Sequence, residues 1–172
     1  MQLIRTSALA LSLAAALATA ADQGSRATIQ PANGRQPAPQ FVLKDSAGKT
    51  VTLKKYRGKI VVLDFWATWC HGCKEEIPWF AEFERKYSKQ GLAVIGVSMD
   101  EEGWKVVTPF LQKTDVPYRI VLGDDAMAKK YKIENMPDTF LIDRNGKLAA
   151  AYVGMVDRSN IETNIKTLLG QR

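Results

Sequence analysis

Residues 60 to 66 read Ile-Val-Val-Leu-Asp-Phe-Trp, an apolar run interrupted only by Asp64. A strand with one wet face alternates apolar and polar residues, so a run of this kind belongs in the middle of a sheet that is covered on both faces. The rest of the chain must supply neighbouring strands and covering helices. Strand patterns recur in L-A-V-I-G-V-S-M from Leu92, Y-R-I-V-L from Tyr118, T-F-L-I-D from Thr139 and K-L-A-A-A-Y-V from Lys147. Between them apolar residues fall at helical spacing: Ile77, Phe80, Phe83 and Tyr87, then Trp104, Val107, Phe110 and Leu111, and finally Ile161, Ile165, Leu168 and Leu169. Ser159 and Glu162 have the spacing of a capping box for the last helix. Asn145-Gly146 marks a hairpin turn, and Asp45-Ser46-Ala47-Gly48 marks another between two short alternating segments. The alternation predicts an α/β domain, a mixed sheet flanked by helices and preceded by an N-terminal β-hairpin.

Ahead of this domain the chain changes character twice. Residues 1–20 carry one early cation, Arg5, an apolar stretch from Ala8 to Leu17 broken by Ser12, and Ala18-Thr19-Ala20 in the pattern of a cleavage site. The stretch is about half of the roughly 20 residues that span a bilayer, so it predicts a signal peptide cut near Ala20 and export to a periplasm or similar space. An uncleaved leader acting as a membrane anchor is the alternative. Residues 21–40 are rich in Ala, Gln, Gly and Pro with one large aliphatic residue, Ile29, and predict a flexible linker. The domain itself is expected over residues 41–172. The net charge of +6 is dispersed among acids without a basic block, which argues for solubility and against nucleic-acid binding.

Both cysteines, Cys70 and Cys73, follow the apolar strand directly, with the single histidine, His71, between them. A staple across so short a loop constrains little of the unfolded chain, and a domain of roughly 130 residues does not need one. Structural zinc requires four ligands, whereas the chain holds two Cys and one His. Haem attachment requires C-x-x-C-H, and Lys74 follows Cys73. A peroxidatic cysteine of the peroxiredoxin type has Thr or Ser three residues before it and Pro seven before, where this chain has Ala67 and Leu63. With a helix expected from about Cys73, Cys70 would sit at a helix N-terminus, where unpaired N–H groups favour its thiolate. Cys73, one turn on and facing inward, would be the shielded thiol that resolves a mixed disulfide. The arrangement predicts a redox pair.

V-V-L-D-F-W-A-T-W-C-H-G-C-K-E-E-I-P-W-F, followed by N-M-P-D-T-F-L-I-D and Gly154, resembles the thioredoxin superfamily, in particular its exported TlpA/ResA-like branch. The resemblance covers Phe41 to about Gly170. It implies a thioredoxin fold with a helix and strand inserted within residues 101–122. It also implies Cys70 as nucleophile, Cys73 as resolving thiol and Pro137 as a cis-proline beside them, with the Met136 backbone offering strand-like hydrogen bonds to an extended substrate. Asp64 matches a buried acid that exchanges a proton with the resolving thiol, and Glu76 matches an acid retained in the ResA-like branch. A solvated strand-end acid is the plain alternative for Asp64, and a helix-dipole acid the plain alternative for Glu76.

Trp66 is expected in the core and Trp69 on the rim of the docking surface, while Pro78 would kink the first helix. His71 and Gly72 occupy the variable positions between the cysteines. An imidazolium there would stabilise the Cys70 thiolate and make the disulfide more oxidising, and Gly72 would loosen the turn. A solvent-facing His71 without effect is the alternative.

These readings predict a periplasmic thiol:disulfide oxidoreductase acting on protein substrates, in this branch most often as a reductase, for example in cytochrome c maturation. No cofactor beyond the Cys70–Cys73 couple and no metal is expected. A membrane thiol carrier would supply electrons. The competing readings are a thioredoxin-fold module that binds Cu(I) or another protein, and a disulfide oxidant or isomerase.

Overall fold

The run from Ile60 to Trp66 is the central strand of a five-stranded sheet, and every residue in it is buried. The computed structural model describes residues 24–171, so the expected signal peptide and its cleavage near Ala20 lie outside the described residues. In chain order the elements are β1 (Val42–Lys44), β2 (Thr50–Thr52), β3 (Ile60–Trp66), α1 (His71–Tyr87), β4 (Leu92–Ser98), α2 (Trp104–Leu111), β5 (Arg119–Leu122), α3 (Asp125–Tyr131), β6 (Asp138–Ile142), β7 (Leu148–Val153) and α4 (Arg158–Gly170). The sheet order is β5-β4-β3-β6-β7, with β3 parallel to β4 and antiparallel to β6. This is a thioredoxin-like fold with a mixed sheet, and β1 and β2 form a separate two-stranded hairpin. The helix and strand expected within residues 101–122 are α2 and the edge strand β5.

Alternation along β3 divides the core. Ile60, Val62 and Trp66 pack with Ile77, Phe80 and Phe83 of α1 and with Ile161, Ile165 and Leu168 of α4. Val61, Leu63 and Phe65 pack with Leu43 and Val51 of the hairpin and with Met127 and Tyr131 of α3. Asp64 has the parity of Val62 and Trp66 and therefore faces the α1 side. Proline 78 lies inside α1 as expected.

Three local readings change. α3 carries only two buried residues, Met127 and Tyr131, so its apolar stripe is too short to show as a period, and its start is set by the Asp124 side chain accepting from Met127 N at 2.7 Å. α1 begins at His71, two residues earlier than expected, because Cys70 itself is the N-cap. α4 is capped by Asp157, which accepts from Asn160 N at 2.8 Å, and not by a Ser159–Glu162 box. Glu162 is instead engaged by Lys86 at 2.9 Å.

The largest correction concerns residues 21–40. From residue 24 onward this stretch is a strap laid along the β7 edge of the sheet, not a flexible linker. Ser25 N donates to Met155 O at 2.6 Å, Gln30 N to Ala149 O at 2.8 Å and Ala38 N to Gly146 O at 3.0 Å, while Leu148 N donates to Gln36 O at 2.8 Å. Its polar, Pro-containing composition hides this, because backbone hydrogen bonds to an open strand edge need no apolar side chains. Arg35 adds a buried anchor, donating to Asp143 at 3.0 Å, to Gln30 O at 2.9 Å and to Gln171 at 3.0 Å.

Removing one partner of a buried ion pair strands the other in a medium that solvates it poorly. Arg35→Ala is therefore expected to lower the unfolding free energy by about 3 kcal/mol. The check is the urea midpoint; a loss below about 0.5 kcal/mol, within the range of ordinary surface substitutions, would mean that the strap contributes nothing to the fold.

Candidate active site

The carboxyl end of β3 runs through Ala67, Thr68 and Trp69 into Cys70. Asp100, buried just beyond β4, fastens this turn: its carboxylate accepts from Thr68 N at 3.0 and 3.1 Å and from Ser98 Oγ at 2.8 Å. Met99 N donates to Trp66 O at 2.8 Å, so the ends of β3 and β4 are locked together under the turn. Sequence reasoning did not identify Asp100, whose only signal is an acid placed directly after a strand.

Cys70 and Cys73 are joined as a disulfide with their Cα atoms 5.4 Å apart. The Cys70 sulfur accepts from Cys73 N at 3.2 Å, which puts it in the helix N-cap position. Their exposure is unequal in the expected sense, 6 % for Cys70 and 0 % for Cys73. Cys70 is nevertheless largely covered, so a partner must enter across its rim. Trp69, 66 % exposed, forms part of that rim, and Trp66 is in the core against Phe110. The His71 side chain is 93 % exposed, with Nε2 3.3 Å from Glu75 Oε1. The Met136–Pro137 peptide bond is cis. A Cβ added at Gly72 would lie 3.5 Å from Pro137 Cδ and 3.8 Å from Met155 Cβ, so the two residues between the cysteines have opposite surroundings: His71 faces water and Gly72 faces Pro137 and Met155. Met155 is a second site neighbour absent from the sequence reading.

Two carboxyls are buried in the layer between β3 and α1, one on each, with Glu76 three residues after Cys73. Asp64 and Glu76 are both 0 % exposed. Asp64 Oδ1 accepts from Thr139 Oγ1 at 3.4 Å, and Glu76 Oε1 accepts from Val156 N at 2.6 Å. Asp64 Oδ2, Glu76 Oε2 and the indole nitrogen of Trp66 have no partner among the described residues. Burial pushes both carboxyls above their ordinary range, and for Glu76 the neighbouring Asp64 adds to the effect. Tyr118, ahead of β5, is likewise pushed well up by its burial and then by these two acids. Neither plain alternative survives, since Asp64 is not solvated and Glu76 is turned inward instead of standing in water at the helix end. Gly96, paired with Asp64 across β3 and β4, leaves room for this layer: a Cβ there would come within 2.6 Å of Ile120 Cδ1 and 3.0 Å of Trp66 Nε1.

The sequence matches the AhpC/TSA family over residues 35–151. It is 35 % identical to the thiol-disulfide oxidoreductase ResA of Geobacillus thermodenitrificans, over 76 % of this chain and 75 % of that protein. It is also 35 % identical to ResA of Bacillus subtilis, over 72 % of this chain and 69 % of that protein. A solved structure, a candidate thiol:disulfide interchange protein DsbE from Chlorobium tepidum, superposes with a TM-score of 0.75 at 32 % identity, covering 79 % of this chain and 97 % of that one.

Through the range where an ordinary carboxyl ionises, from about pH 4 upward, the folded protein holds protons on Asp64 and Glu76 that the unfolded chain has lost. Stability of the disulfide form should therefore fall as pH rises above that range. Glu76→Gln removes one of these protons from the balance, so at pH 8 the variant should be more stable than the parent by at least about 1.4 kcal/mol, one pKa unit, and at pH 4 no more stable. Urea unfolding at the two pH values measures the difference, and parallel curves would contradict a raised Glu76.

Proposed function

The chain belongs to the AhpC/TSA family and is a thioredoxin-fold thiol:disulfide oxidoreductase, and we propose that it reduces protein disulfides in the periplasm, with Cys70 as the attacking thiol. The unequal burial of the two sulfurs, together with two fully buried carboxyls on β3 and α1, is the observation that carries this reading. The AhpC/TSA match does not bring peroxidase chemistry with it, because Ala67 and Leu63 stand where a peroxidatic motif needs a hydroxyl residue and proline.

In the proposed reaction the Cys70 thiolate attacks one sulfur of a substrate disulfide, forming a mixed disulfide and releasing the other substrate sulfur as a thiolate. Cys73 then gives its proton to the buried carboxyl pair in the state where one member is ionised and the other holds a proton, and the Cys73 thiolate attacks the Cys70 sulfur. The second substrate sulfur leaves, and Cys70–Cys73 is left oxidised by two electrons while the substrate disulfide becomes two thiols. Asp64 and Glu76 suit the proton step because burial holds their affinity for a proton near that of a thiol. Trp69, the Met136 backbone and Pro137 would hold the substrate segment. Export rests on the leader sequence, and a role in maturing c-type cytochromes on the resemblance of the sequence motifs to the TlpA/ResA-like branch. In this reading a membrane thiol carrier returns the Cys70–Cys73 disulfide to the dithiol after each turnover.

His71 would add a charge near Cys70, but its ring stands in water and is paired with Glu75. Solvent screening makes its influence modest.

Cys73→Ser should accumulate mixed disulfides with substrate proteins while Cys70→Ser should not, as read on non-reducing gels after acid quenching. Equal trapping by both variants would remove Cys70 from its role. In the same quenched cells the parent dithiol should be mostly reduced; a mostly oxidised pool would favour an oxidant or isomerase. His71→Ala should lower the potential of the couple by no more than about 30 mV, a factor of ten in the equilibrium constant, in a glutathione titration.

A further inference from the structure

The strap and the redox site meet at three residues. Between β7 and α4 the chain passes through Met155, Val156 and Asp157, and successive peptide groups there point in opposite directions, as extended backbone requires. Val156 N faces inward and donates to Glu76 at 2.6 Å. On the other side, Ser25 N donates to Met155 O at 2.6 Å and Asp157 N donates to Ser25 O at 2.8 Å, a parallel bridge between Ser25 and Val156. One short stretch of backbone is thus gripped by the strap on one edge and by Glu76 on the other.

We propose that Gly24 and Ser25 of the strap are positioning residues of the redox site, holding the Met155–Asp157 backbone so that the Val156 N–H stays directed at Glu76. This rests on the reading of Glu76 as a member of the carboxyl pair that takes the Cys73 proton.

The contact at Gly24 is backbone against backbone. A Cβ there would lie 2.5 Å from both Val156 C and Val156 O and 2.7 Å from Asp157 N, atoms that cannot swing aside as a side-chain end can. The grip is tied to α4 as well: Arg26 pairs with Asp157, Ala27 N donates to Asn160 Oδ1 at 2.9 Å, and Asn164 Nδ2 donates to Ala27 O at 2.8 Å. On its inner side the loop reaches the cysteine turn through Met155, which borders Gly72.

Glu76 depends on this loop because Oε2 has no partner, so the Val156 N–H is the one hydrogen bond its carboxyl accepts among the described residues. The charged and titratable groups around it are Asp64 of β3, Glu75 of α1, Asp138 of β6 and Tyr118 ahead of β5, none of them a cation. Releasing Val156 removes the contact that favours the ionised carboxyl, and the acid should hold its proton to higher pH.

The test uses the full chain with Gly24→Val, and Gly34→Ala as a control elsewhere in the strap, where a Cβ meets only Pro31 O at 3.6 Å. Ser25→Pro, which deletes the donor to Met155 without adding a clash at Gly24, is the milder second variant. Two quantities are read: the pH profile of the resolving step in a preformed mixed disulfide, and hydrogen exchange at the Val156 amide. Gly24→Val and Ser25→Pro should move the alkaline midpoint upward by about half a pH unit, a threefold change in the protonation ratio. They should also speed Val156 exchange about tenfold, and Gly34→Ala should do neither. In a Glu76→Gln background the shift of the pH profile should vanish. An unmoved profile with unmoved exchange, or an equal shift with Glu76→Gln present, would overturn the proposal. If Gly24→Val does not fold, Ser25→Pro decides by the same criteria. Insulin reduction by the unmodified chain is measured first, so that failure of the redox reading itself is seen separately.

Discussion

Covering β3 on both faces is the constraint from which the site follows. All seven residues of the strand are sealed, and Asp64 is sealed with them. A carboxylate there has little water and no neighbouring cation to offset its charge, so burial raises its affinity for a proton well above the ordinary carboxyl range. Glu76, entering the same layer from α1, meets the same low dielectric and also the potential charge of Asp64. Two acids that would be anions on a surface thereby have a raised affinity for protons in the layer between β3 and α1. Gly96, paired with Asp64 across β3 and β4, leaves space for Trp66 and Ile120 in the same layer.

The fold places the reactive turn where several elements end. The ends of β3 and β4 are fastened by Asp100, the N-terminus of α1 takes Cys70 as its cap, and the β7–α4 loop and Pro137 close over Gly72. Each contact limits one freedom of the turn. The Thr68–Asp100 bonds fix its approach, the Cys73 N–H fixes the Cys70 sulfur, and Pro137 with Met155 bounds the turn on the Gly72 side. The His71 side chain stands in water, which separates it from the buried residues that build the couple.

Much of this was legible beforehand, for identifiable reasons. The unbroken apolar run, the Asn145-Gly146 turn and the helical stripes of α1, α2 and α4 are strong periodic or local signals, and they located every strand of the main sheet. Trp66 is buried and Trp69 exposed, the split that was expected of the pair. α3 was missed because two buried residues make no period. The α4 cap was misassigned because Asp157 and Ser159 are both good caps, and only the path of the preceding loop selects between them.

The central strand, the dithiol at its end and the order of elements that flank it can be read from the sequence, because these depend on short-range pattern and hydrophobic period. That Glu76 turns inward, that Asp100 ties down the turn, and that the residues from 24 to 40 form a strap ending beside the redox site emerges only in the folded chain. Each of those outcomes joins residues distant along the chain through directional hydrogen bonds, as between Glu76 and Val156 or Ser25 and Met155. Such bonds leave no periodic trace in composition. They exist because an open strand edge and a buried polar atom must find partners, and which residues supply them is settled only when the chain is folded.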